Sequence, residues 1–233
     1  MEYIISLIIC IVIIVILKFA FNIKTGDMKE LKKIGYSKEL NDITDKLPNN
    51  EEVCTAILKQ VKNENVKIKV SDNEKDKLTY YMAVTDSIII ANIQDTFTRI
   101  QTIAHECAHS IQNRKMLLFN FIFSNIYILY FIVVSVLTIL NLIEYKSLQL
   151  FILALLGLVY YCIRSYLETD AMTKAPYIAK EYIQYSKRLN DNEIEKVMEN
   201  YERLNKIGIP MTNFQLVVST LVKIIIYCII AIL

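Results

Sequence analysis

The chain has 233 residues, 54% of them hydrophobic, a net charge of +2 and a mean hydropathy of +0.35. That length suits one soluble domain, but the apolar content is too high for one and is concentrated in a few long runs, which predicts an integral membrane protein in contact with lipid. A charge balance so near neutral offers no basic surface for nucleic acid.

Residues 3–22 are almost wholly apolar and long enough to cross a bilayer as a helix. They lack the basic start and the small-residue cleavage site of a signal peptide, so residues 1–22 read as a permanent anchor. Lys18 lies near the end of the run, where it can snorkel to the interface.

Residues 23–115 are polar and mixed. Pro48 and the two asparagines after it mark a turn, with Asn50 as helix cap and Glu51 and Glu52 at the positive end. Val53, Ile57 and Val61 then recur at helical spacing. Residues 66–71 alternate as a half-buried strand does. Tyr80 to Val84 and Ser87 to Asn92 predict two more strands around a turn at Thr85 and Asp86, the second of them either an edge that a peptide could join or an ordinary strand of the sheet.

A helix follows, with Asp95 or Thr96 as its cap and Ile100, Ala104, Cys107 and Ile111 on its buried face. It carries His105-Glu106-Cys107-Ala108-His109, and both histidines of the chain fall in this stretch. Positions i and i+4 share a helix face one turn apart, so two imidazole nitrogens can reach one Zn²⁺. Glu106 stands beside them, placed to take a proton from an activated water. This is the HExxH signature of zinc-dependent hydrolysis.

The helix is expected to continue past Arg114 and Lys115 into residues 116–140, a second spanning run, and residues 148–163 make a third. The short polar link around Glu144 and Lys146 makes residues 116–163 a transmembrane hairpin. Residues 164–213 are polar and helical in pattern, with Gly208 and Pro210 expected to end the helix, and residues 214–233 are a fourth span. Lys223, near the middle of that span, needs a buried polar contact.

Basic residues flank the spans on one side: Lys24, Lys29, Lys32 and Lys33, then Arg114, Lys115, Arg164 and Lys206. The positive-inside bias puts residues 23–115 and 164–213 together at the cytosolic face of a cell membrane. The five cysteines have no metal or redox spacing and read as small buried hydrophobes. Cys107 points away from His105.

A catalytic zinc site takes three protein ligands and leaves one position open. With no third histidine, the remaining ligand is a carboxylate or a thiolate, and Leu167-Glu168-Thr169-Asp170-Ala171 offers the best-placed carboxylates.

The stretch HECAHSIQ, residues 105–112, resembles the HEVGHAIQ-type motif of the YugP-like membrane zinc metallopeptidases. LETDAMTKA, residues 167–175, resembles that family's second element, and the order of apolar runs fits along nearly the whole chain. The resemblance implies a gluzincin-like site with His105, His109 and Glu168 as zinc ligands, Glu106 as general base, and a protein or peptide substrate. The more distantly similar HtpX and CAAX prenyl endopeptidases carry an aspartate four residues after the ligand glutamate; here Met172 stands there. On a helix, Glu168 shares its face with Ala171, Met172 and Ala175, which suits packing on the motif helix, whereas Asp170 points elsewhere, beside Lys174. Asp170, Arg164 and Tyr166 remain candidates for supporting the ligands or the oxyanion.

The expected architecture is therefore a mainly α, multipass membrane protein with a small α+β zincin-like unit carrying the HExxH helix. The expected function is zinc-dependent peptide-bond hydrolysis. A membrane metal transporter or sensor is the alternative, and it would place its ligands at mid-membrane.

Overall fold

The structure, a computed structural model, describes residues 1–71, 76, 78–94 and 96–233; Asp95, one of the two expected caps, lies outside the described residues. The chain divides into two compact units. The first comprises Met1–Lys24, Leu118–Tyr166 and Pro210–Leu233, and the second Thr25–Leu117 and Leu167–Ile209.

The first unit is helical. Among the described residues, four helices are long and apolar enough to cross a membrane: α1 (Glu2–Ala20), α6 (Arg114–Ile139), α7 (Lys146–Ser186) and α8 (Asp191–Ile232). Only parts of α6, α7 and α8 belong to this unit. Its core gathers Cys10, Tyr127, Val134, Leu153, Leu221, Ile224, Tyr227 and Cys228. Gly157 permits a close approach of α7 and α8, since a Cβ there would meet Thr220 Cγ2 at 2.4 Å. Thr138 donates to the Val134 carbonyl at 2.7 Å, and Tyr227 donates to the Lys146 carbonyl at 3.0 Å. Lys223 donates to the carbonyl and hydroxyl of Ser219 and lies 5.4 Å from the Tyr127 ring centroid. Cys162 is exposed, the one departure from five buried thiols.

Two sequence expectations fail here. The motif helix does not run into the second span: it stops at Ser110, and α6 starts afresh at Arg114. Nor do Gly208 and Pro210 end a helix, because α8 passes through both. A proline costs one backbone hydrogen bond, and the long apolar run beyond it keeps its own backbone bonded by staying helical. Pro176 likewise lies inside α7. The break falls earlier, after Ser186, where Lys187 takes φ 53°.

The second unit is mixed. It holds α2 (Asp27–Gly35), α3 (Lys38–Thr44), α4 (Asn50–Gln60), strands β1 (Lys67–Val70), β2 (Tyr80–Met82) and β3 (Ser87–Ile90), and α5 (Arg99–Ser110). Asn49 caps α4, not Asn50: its Oδ1 accepts from the Glu52 amide at 2.9 Å. Asn50 instead turns inward as the first helical residue, where its Oδ1 accepts from Arg99.

The sheet order is β1-β3-β2, with β1 parallel and β2 antiparallel to β3. The strand from Ser87 onward is therefore central, paired on both sides, and not an edge. Ile88 and Ile90 are buried on one face and Ile89 is half-buried on the other, which suits a central strand. β2 holds the edge. The β2–β3 turn closes on Asp86 at φ 49°, a conformation aspartate tolerates, and its Oδ1 accepts from the Tyr81 hydroxyl at 2.8 Å.

The core is built around α5. Val53, Cys54, Ile57 and Leu58 of α4 are buried with Ile100, Ile103, Ala104, Cys107 and Ala108 of α5 and with Ala171, Ala175 and Ala179 of α7. Small α7 residues let that helix approach closely. Cys107 packs with its Sγ 4.0 Å from that of Cys54. Ile111, expected in the core, is 44% exposed because α5 has ended before it.

Candidate metal centre

The motif helix is tied down at its start. Thr98 occupies the N-cap position without a side-chain bond, and Thr96 turns its hydroxyl back onto the Ile93 carbonyl at 2.8 Å, so Thr96 is no cap either. Arg99 does the anchoring. Fully buried, it donates to the carbonyls of Thr44 (2.7 Å), Leu47 (3.0 Å) and Pro48 (2.8 Å) and to Asn50 Oδ1 (3.1 Å). It thus satisfies the carbonyls left at the end of α3 and joins them to α5. Burial holds its guanidinium below the usual value, with Tyr201, Asp45 and Tyr182 pulling it back up. On another side, Gln101 donates to Asn205 Oδ1 at 2.9 Å, and Asn205 donates to the Met172 carbonyl at 2.6 Å. α5, α8 and α7 are thereby linked a short way from the histidines.

On this frame three side chains converge. The Nε2 atoms of His105 and His109 are 3.1 Å apart, and Glu168 Oε2 lies 3.4 Å from the first and 3.7 Å from the second. Donors bonded to one tetrahedral ion at about 2.0–2.2 Å stand about 3.3–3.6 Å from one another, so the spacing fits a metal. The group His105, His109 and Glu168 could hold a metal ion, and two imidazoles with one carboxylate is a donor set that suits a borderline cation.

Glu106 is buried beside the donors and accepts from the Tyr81 backbone N–H through Oε2 at 2.7 Å. Burial pushes its carboxyl above the usual range, while His105, His109 and the Tyr81 amide pull it back. Burial by itself would lower the His109 imidazolium pKa; hydrogen bonding and charge from Glu168 outweigh it and raise the value.

Asp170 stands outside the donor group. It pairs with Lys174 at 2.8 Å and accepts from Gln112 Nε2 at 2.8 Å. Burial alone would raise its carboxyl, but those two donors hold it below the usual range. Gln112 also meets His109 Nδ1 through Oε1 at 2.9 Å and donates to the Leu167 carbonyl at 2.8 Å. Arg164 and Tyr166 belong to the first unit, where Tyr166 is exposed.

Sequence reasoning placed both histidines, Glu106 and Glu168. It passed over Arg99 and Tyr81, and it placed Gln112 on the histidine face of the motif helix without giving it a role. A charged residue set among Phe97, Ile100 and Ile103 was a readable sign for the first. The other two act through contacts that only the tertiary structure makes. The chain has no match among protein-family models, curated proteins or solved structures.

Proposed function

We propose that this chain is an integral-membrane zinc metallopeptidase of the YugP-like kind, and that its second unit is a zincin-like module. One observation carries the reading: two imidazoles and a carboxylate converge, and a buried carboxylate stands next to them on the same helix, held by a strand. His105, His109 and Glu168 would hold the cation. When bound, Zn²⁺ supplies the Lewis acidity that polarises a carbonyl and makes water nucleophilic near neutral pH.

The protein's own groups divide the remaining work. The Tyr81 amide fixes Glu106 Oε2, which leaves Oε1 to accept the proton of the attacking water and return it to the leaving amine. Burial of Glu106 brings its basicity closer to the working pH, which favours proton transfer in both directions. The substrate is a protein or peptide. The basic residues flanking the spans support a cytosolic face for the site in the cell membrane. All three donors belong to the second unit rather than to the one formed by the apolar segments, which favours a peptidase over a transporter or sensor.

The test is purification in detergent, metal analysis, and hydrolysis of quenched fluorescent peptides with and without chelator. One zinc per chain and chelator-sensitive cleavage are expected. Folded protein that binds no zinc and cleaves nothing would sink the reading.

A further inference from the structure

Gln112 follows the end of α5, so its side chain is free to turn back across the site rather than lie along the helix. An isolated glutamine beyond a helix end would be expected to bond the last carbonyls of its own helix or face water. Its backbone N–H does bond the His109 carbonyl at 3.1 Å, but the side chain does neither: all three side-chain hydrogen bonds go to the metal-ligand region. We propose that Gln112, braced by Asp170, is a positioning relay that fixes the metal-binding tautomer of His109 and the register of Glu168 against it. The proposal rests on the metal-centre reading above.

The chemistry of the partners orients the amide. Gln112 Nε2 sits 2.8 Å from both the Leu167 carbonyl and Asp170 Oδ2, and each of these can only accept. The NH₂ group must face them, which turns Oε1 toward His109 Nδ1 at 2.9 Å. A carbonyl oxygen cannot donate, so Nδ1 carries the proton. The His109 lone pair is then on Nε2, the nitrogen that faces His105 and Glu168.

The same amide grips α7 on both sides of the third donor. Leu167 precedes Glu168 and Asp170 follows it by two, so bonds to both hold this turn of α7 at a set distance from His109. Lys174 binds the Asp170 carboxylate at 2.8 Å, which keeps that acceptor in place. One side chain thus sets ring orientation, tautomer and ligand spacing together. Groups that orient metal ligands typically cost 10–100-fold in affinity when removed.

The experiment uses the full chain in detergent, with zinc affinity read by chelator competition and site geometry by the visible spectrum of the Co²⁺-loaded protein. Neither readout depends on hydrolysis. Gln112→Leu is expected to weaken zinc by about 10–100-fold and to shift the cobalt bands. Asp170→Ala is expected to lose a smaller part of the affinity, and Asp170→Asn, which keeps an acceptor oxygen, to recover most of it. The double variant Gln112→Leu/Asp170→Ala should be no weaker than Gln112→Leu, because the relay is lost only once. Wild-type affinity with an unchanged cobalt spectrum in Gln112→Leu would overturn the relay, as would losses that add in the double variant. Should Gln112→Leu not fold, the Asp170 pair decides: equal affinities for Asp170→Ala and wild type overturn it. A wild-type chain that binds no metal would instead refute the underlying metal centre.

Discussion

The backbone N–H of Tyr81 donates to Glu106 Oε2 at 2.7 Å, so an edge strand holds the carboxylate that the motif helix presents. The bond needs only an oxygen acceptor and survives replacement of the acid by its amide. Glu106→Gln should therefore keep the fold and bind zinc as wild type does, while peptide hydrolysis falls by about 10²-fold or more, because an amide cannot accept the water's proton. Metal analysis beside single-turnover assays checks this. Activity retained with zinc bound would move the base to another residue.

The two carboxylates of the α7 element should separate cleanly. Glu168 Oε2 lies within 3.7 Å of both Nε2 atoms, whereas Asp170 touches Gln112 and Lys174. Glu168→Ala leaves two imidazoles as protein donors, so zinc affinity should drop well beyond the loss caused by Asp170→Ala, and hydrolysis should vanish. Asp170→Ala should still carry one zinc at saturating metal. Titration with zinc under chelator buffering distinguishes the two, and the reverse order would reassign the third ligand.

How much of this was legible follows from how local each feature is. His105, Glu106 and His109 are readable because a helix converts their spacing into a shared face without help from elsewhere. Glu168 was readable from the small residues on its own helix face, Ala171 and Ala175, which are indeed buried. The place of residues 87–92 in the sheet was left open between an edge and an ordinary strand, although three consecutive isoleucines in β3 favour a strand flanked on both sides. Pro210 was read as a stop, since local propensity says so, yet the apolar run after it overrides one lost hydrogen bond. Gln112 closes the HECAHSIQ stretch and was placed on the histidine face, but its bonds to α7 are made only in the tertiary structure.

Membrane orientation can be mapped with single introduced cysteines in a background where exposed Cys162 is replaced. Positions Glu64 and Glu195, both exposed in the second unit, should be shielded from an impermeant thiol reagent in intact cells. Tyr145, exposed between α6 and α7, should react. The opposite pattern would invert the topology that the flanking basic residues favour.

Arg99 offers the sharpest test of how the centre is supported. Its guanidinium is fully buried and gives four hydrogen bonds, three to backbone carbonyls from Thr44, Leu47 and Pro48. Each buried acceptor left unpaired costs about 1–3 kcal/mol. Arg99→Met fills much of the volume but supplies no donor, so a loss of about 3–5 kcal/mol is expected, partly offset because no buried charge remains to be desolvated. Arg99→Lys keeps the charge but reaches fewer acceptors from a single nitrogen, and should fall between wild type and Arg99→Met. Because Arg99 opens the helix that carries both histidines, the stability loss should come with weaker zinc binding, although Arg99 touches no metal donor. Thermal unfolding in detergent, with and without saturating zinc, reads both effects. A chain in which Arg99→Met melts at the wild-type temperature would mean that α3 and α5 are held together by packing alone.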